Sequence, residues 1–150
     1  MDQAGGKQVD PVNYSRLNDR LLDDKTPDPM PPIRRAILSY VSTLVKLRTT
    51  HPALAVNDTN FIHVDFNDGK RVLVWQRGGN GQDPVVVLAN LSDFFTPNPD
   101  DPSSVYVVPN WPATPAGRHW REVTQHRDVP DNFIGREPIF PWEAKVYTLK

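Results

Sequence analysis

Cysteine is absent from the chain, which excludes disulfides, zinc–thiolate centres and a cysteine nucleophile. Glutamate is scarce: Glu122, Glu137 and Glu143 are the only ones, and no recognisable catalytic motif surrounds them. An excess of charge of one sign is also lacking. Seventeen basic residues against eighteen acidic ones leave a formal charge of -1, which gives no electrostatic case for nucleic acid or an anionic membrane. No apolar run is long enough to span a bilayer, and the opening Met1-Asp2-Gln3-Ala4-Gly5-Gly6-Lys7 lacks the apolar core of a signal peptide. The expectation is a soluble chain, with the cytoplasm as favoured location and with no cofactor and no metal. At 150 residues it can bury one core, but it falls short of the roughly 250 residues that a closed (β/α)8 barrel requires.

Three zones follow one another along the sequence. Residues 1–30 are polar and rich in Asp and Pro, and only Leu17, Leu21 and Leu22 offer apolar anchors, so an extended or disordered arm is expected. The second zone, 31–54, carries a helix and turn. Ile33, Ile37, Tyr40, Leu44 and Leu47 recur at steps of four and three and share one face. Pro31 and Pro32 suit the first turn, and Pro52 stops the helix. Adding Leu38, Val41 and Val45 widens the apolar arc to roughly 200°, where a helix on a single surface needs little over about 100°. Such a helix expects two partners. An unpartnered face would also let the chain self-associate through the helix.

The third zone, 55–150, has the turn punctuation of an antiparallel Greek-key β-sandwich of about six to eight strands, which makes the fold mainly β preceded by one α-helix. The clearest hairpin joins 61–66 to 71–76 through Asp68-Gly69, and simple alternation puts Ile62, Val64 and Phe66 on one face. The run 84–90 is apolar on both sides, as in a strand covered on both faces. Further strands are expected at 105–108, around 119–124 and at 142–149.

Several residues could carry chemistry. His63 and Asp65 lie two apart on a strand and could share a metal, but no third ligand is near in sequence, and a solvent-facing polar stripe is the simpler reading. His119 and His126 have no such support. The pairs Asp23-Asp24 and Asp100-Asp101 sit in polar, Pro-bearing segments typical of solvated loop acids. Gly78-Gly79-Asn80-Gly81 is followed by neither Gly-Lys-Ser/Thr nor a helix, and is better read as a hairpin connection than as a phosphate loop. Trp75 and Trp120 fall within strands and read as core. Trp111 and Trp142 stand beside prolines and are the candidates for an exposed ring that stacks on sugar.

The order of these segments resembles a known family. Leu21-Leu22-Asp23-Asp24, then a helix ending Leu44-Val45-Lys46-Leu47-Arg48-Thr49-Thr50-His51-Pro52-Ala53-Leu54, then Phe61-Ile62-His63-Val64-Asp65, Val72-Leu73-Val74-Trp75 and Val85 to Ser92, is similar to the C-terminal part of an α-amylase family glycoside hydrolase. The resemblance implies that 31–54 corresponds to the last helix of the catalytic barrel, that 55–150 is the all-β C-terminal domain, and that Ile33, Ile37, Tyr40, Leu44 and Leu47 pack on the barrel. The family's catalytic Asp, Glu and further Asp lie upstream of the matching region, so the resemblance implies no catalytic residue here. The expected function is a non-catalytic β domain that stabilises an α-glucan-active barrel, the alternative being an α-glucan-binding module using Trp111 and Trp142.

Overall fold

A computed structural model describes the chain except for residues 1–30, Asn80 and Pro102. The expected N-terminal arm and the Asp23-Asp24 pair therefore lie outside the described residues. The chain divides into two units, 1–42 and 43–150. The described part of the first is the beginning of helix α1, Pro31–Thr50. No glycine interrupts that helix, and beyond its first two residues no proline does. Its apolar side chains in this unit, Ile33, Ile37, Leu38, Tyr40 and Val41, are all exposed.

The second unit opens with the last turns of α1. The Thr49 and Thr50 hydroxyls donate back to carbonyls one turn earlier, and the His51 amide donates to the Leu47 carbonyl at 2.9 Å. Pro52 ends the helix and begins a single 3-10 turn, Pro52–Leu54, which the Arg48 guanidinium braces by donating to the Leu54 carbonyl.

Six strands follow: β1 (Thr59–Asp65), β2 (Val72–Arg77), β3 (Val85–Asn90), β4 (Trp120–Glu122), β5 (Arg127–Asp128) and β6 (Ala144–Leu149). All pairings are antiparallel, and the strands form one sheet in the order β1-β2-β3-β6-β4-β5. The mainly β fold with one preceding helix is as the sequence leads one to expect. A second sheet packed against the first, as in a sandwich, is not seen among the described residues.

Register assigns every strand residue to a face. On one face Val72, Val74, Val86, Leu88, Tyr147, Leu149 and Trp120 form the main core. Where a sandwich would place its second sheet, that face is covered by irregular segments contributing Val108, Val129 and Ile139. The segment 105–108 belongs to this cover and is not a strand of the sheet; the Val108 amide donates to the Gly135 carbonyl at 2.8 Å. The opposite face carries a smaller cluster, Ala53, Val85 and Val146, against which Leu44 and Leu47 pack. Strand β3 is thus covered on both sides.

Two local features correct simple alternation. The β1–β2 register slips between Phe61 and His63, where the extra residue is Ile62. That bulge turns Ile62 toward the main core together with His63 and Asp65, while Val64 pairs with Leu73 on the opposite face, so Ile62 and Val64 do not share a side. The β1–β2 turn is as expected, with Asp68 at φ 50° and Gly69 at φ 78°.

Candidate functional site

The acidic residues are disposed for stability. Glu122 is fully buried at the end of β4, and its carboxylate accepts from the amides of Thr124 (2.9 Å) and Gln125 (2.6 Å) and from the Thr124 hydroxyl. Glu137 is buried beside Lys145 and accepts from the Arg127 guanidinium, the Lys145 ammonium (3.4 Å) and the Tyr147 hydroxyl (3.3 Å). Glu143 accepts from the Phe140 amide at 3.1 Å and stands 3.6 Å from Lys145. Burial, then the charges of Glu137 and Glu122, push the Tyr147 hydroxyl well above its ordinary range. A glycosidase needs two carboxyl groups facing one sugar bond across open space, roughly 5–10 Å apart. Glu122 and Glu137 instead lie in the interior with their lone pairs engaged. Asp101 closes a loop, accepting from the Ser103 amide and hydroxyl at 2.9 and 2.8 Å, as a solvated turn acid does.

His63 and Asp65 do share a face, and what joins them is a tyrosine. The Tyr106 hydroxyl donates to Asp65 Oδ2 at 2.8 Å, so its oxygen accepts from His63 Nε2 at 2.6 Å. The Asn67 amide, and after it the Tyr106 hydroxyl, hold Asp65 below the usual carboxylate range; burial and Asp65 together raise Tyr106 far above that of a free tyrosine. A phenol so poised keeps its proton near neutrality, and the trio pins the 105–108 segment to β1. No group of three metal-binding side chains occurs among the described residues. His119 is exposed and lies 3.5 Å from Asp128, and His126 occupies a left-handed turn at φ 59°.

The four tryptophans have separate fates. Trp120 is fully buried and donates through Nε1 to the Thr114 hydroxyl at 3.0 Å. Trp75 is half-buried on the outer face, its ring 6.1 Å from that of Phe61. Trp111, a candidate for exposure, packs edge-on against Trp120 (5.6 Å) and Tyr147 (5.0 Å) and so helps close the main core. Its side chain passes close to Gly135, where a Cβ would come within 3.1 Å of the Trp111 Cβ. Trp142 is the open one, with 67% of its surface exposed.

The Trp142 ring is nevertheless fixed. Its Nε1 donates to Asp93 Oδ1 at 2.9 Å and its amide to the Ser92 carbonyl at 3.2 Å. Beneath it, buried Asn90 ties two turns together: its Nδ2 donates to the carbonyls of Phe94 (2.7 Å) and Phe140 (2.8 Å), and its Oδ1 accepts from the Ser92 hydroxyl at 2.6 Å. Beside the indole lies a shallow open groove of about 450 Å³, lined by Asp68, Arg71, Leu91, Ser92, Asp93 and Phe94. Nothing in the local sequence separates Trp111 from Trp142; the distinction comes from partners distant in sequence.

On α1, the face named from periodicity is divided. Leu44 and Leu47 pack on Ala53, Val85 and Val146, whereas Ile33, Ile37 and Tyr40 are exposed. No family model matches the chain, and no curated protein or solved structure matches it significantly.

Proposed function

We propose that this chain is the non-catalytic β domain of an α-amylase-like glycoside hydrolase and that it stabilises a catalytic barrel by docking on it. The observation that carries the reading is the apolar surface of α1: Ile33, Ile37, Leu38, Tyr40, Val41 and Val45 are each between 39% and 58% exposed. Isolated exposed apolar residues are ordinary on protein surfaces, but six within thirteen residues of one helix amount to a face that water solvates poorly. The order of a helix, a His51-Pro52-Ala53-Leu54 turn and an antiparallel sheet supports the same reading, as does the interior use of Glu122 and Glu137, which leaves them no part in sugar chemistry.

The test pairs this chain with an α-amylase-type barrel from which the last helix and β domain have been removed. Co-expression should yield a 1:1 complex, and Ile37→Glu combined with Val41→Lys should abolish it while leaving the sheet folded. Without a barrel, the same face should make the apparent mass rise with concentration in sedimentation. A chain that stays monomeric at every concentration and captures no such barrel, or one that by itself hydrolyses α-glucan, would overturn the proposal.

A further inference from the structure

We infer that Trp142 and the groove beside it form a binding subsite for a neutral oligosaccharide, with a pyranose ring stacked on the indole and its hydroxyls held by Asp93 and Arg71. This rests on the second unit alone and stands independently of any barrel.

The first argument is the ring itself. Trp111 and Trp120 are covered, several phenylalanines are open, and Trp142 is the largest and most exposed of the large apolar residues described. Its exposure is built in by the backbone. Trp142 adopts φ 55°, a left-handed conformation that is a genuine outlier for a bulky side chain. A glycine or asparagine would occupy that turn with less strain, so nothing about the turn itself calls for tryptophan. Strain of this kind persists where the surroundings over-determine it, and here Asn90, Ser92 and Asp93 do so.

The second argument is preorganisation. An exposed indole free to rotate would lose freedom on binding, and that loss would offset most of what stacking contributes. The bond from Nε1 to Asp93 fixes the ring plane in advance, and buried Asn90 fixes the turn that carries it.

The third argument is the chemistry of the groove. A pyranose presents C–H bonds on one face and hydroxyls around its rim, so it needs an aromatic plate bordered by groups that accept and donate in pairs. Asp93 gives one oxygen to the indole and offers the other; Arg71 brings a planar fork of donors; Leu91 and Phe94 supply apolar wall. Two carboxylates, Asp68 and Asp93, stand against two cations, Arg71 and the Lys70 ammonium, which lies 3.6 Å from Asp68 and 5.8 Å from the centre of the Phe94 ring, so the groove is balanced in charge and suits a neutral ligand. Two cations each matched by a carboxylate are likewise a poor base for binding nucleic acid, which relies on several phosphate contacts. An open, shallow site of this size fits weak binding, with a dissociation constant on the order of a millimolar for a short oligosaccharide.

The experiment titrates the full chain with maltoheptaose, cellohexaose and a proline-rich peptide, following tryptophan fluorescence and the indole N–H resonances by NMR. Expected is a saturable response to at least one of the neutral oligosaccharides, with the Trp142 indole resonance moving most. Trp142→Ala should weaken binding by about tenfold or more at an unchanged melting temperature, Asp93→Asn by a few-fold, and Trp142→Tyr should retain part of the affinity. Saturation by the peptide alone, a flat response of the folded chain to both sugars at about 10 mM, or sugar binding untouched by Trp142→Ala would each overturn the inference.

Discussion

Glu137 is the group whose removal should tell most about how this sheet is held. It is 2% exposed and is the shared acceptor for Arg127, Lys145 and Tyr147. Its three donors differ in what they can do once it is gone. The Arg127 side chain is 35% exposed and can turn to water. Lys145, with a side chain only 2% exposed, keeps the Pro138 carbonyl at 2.7 Å and Glu143 at 3.6 Å, so its charge is under-compensated rather than abandoned. The Tyr147 hydroxyl is left buried without its acceptor. Breaking a buried pair by removing one partner costs about 3–5 kcal/mol, and Glu137→Ala should fall in that range because the cavity left behind adds to the unpaired charge. Glu137→Gln keeps the volume and one acceptor and should cost about 1–3 kcal/mol. Replacing both partners by apolar groups of similar size removes the uncompensated charge, so Glu137→Met with Lys145→Met should cost less than the sum of the single changes by about 1–3 kcal/mol. Urea unfolding followed by circular dichroism measures these variants together with the single changes Glu137→Met and Lys145→Met. Two results refute the reasoning: a loss below about 1 kcal/mol for Glu137→Ala, or single costs that simply add.

Three further outcomes follow from particular positions. Gly78 sits at φ 72° with the Ala53 side chain where its own Cβ would be, 2.5 Å away; Gly78→Ala should therefore destabilise by about 2 kcal/mol or more, and a variant as stable as the parent in urea would contradict that packing. The Tyr147 hydroxyl is raised by burial and by two glutamates, so the stability it contributes is complete below the ordinary tyrosine value near 10 and is lost as pH climbs from there toward the folded-state value. Thermal melts above pH 10 should fall less steeply in Tyr147→Phe than in the parent, and parallel slopes would count against it. Trp142→Gly removes a left-handed tryptophan at the expense of one exposed bond to Asp93 and should be neutral or stabilising by about 1 kcal/mol, so a melting temperature lowered by several degrees would show that the ring is needed for folding.

Local patterns make much of the fold legible in the sequence alone. Prolines at both ends of an uninterrupted 3.6-residue period mark α1, Asp68-Gly69 marks the β1–β2 turn, and a run of valines marks β3 as covered on both faces. What is not legible depends on partners far away in sequence. The bulge at Ile62 leaves no compositional trace, yet it reverses one residue relative to those that follow. The segment 105–108 has the composition of a strand, but Val105 and Val108 are buried as part of a loop cover, and its polar anchor is Tyr106 on Asp65. A second sheet and a layer of pinned loops can both bury the same valines, so alternation could not choose between them. Lys145 and Glu137 read as ordinary surface charges until strand register turns the first inward and a loop brings the second beneath it.

The buried charges and the exposed tryptophan are parts of one arrangement. Lys145 donates to the Pro138 carbonyl, lies 5.8 Å from the centre of the Phe140 ring and stands 3.6 Å from Glu143, whose other bond fixes the Phe140 amide. Those contacts hold 138–143 from below while Asn90 holds it through the Phe140 carbonyl, and Trp142 lies within that segment. An apolar pair at 137 and 145 would preserve the core but leave the turn with fewer ties. The double variant Glu137→Met with Lys145→Met should therefore keep a cooperative unfolding transition yet bind neutral oligosaccharide several-fold more weakly, with a broadened Trp142 indole resonance. Undiminished sugar affinity in that variant would mean that Asn90, Ser92 and Asp93 suffice to fix the ring, and that the ion cluster serves stability alone.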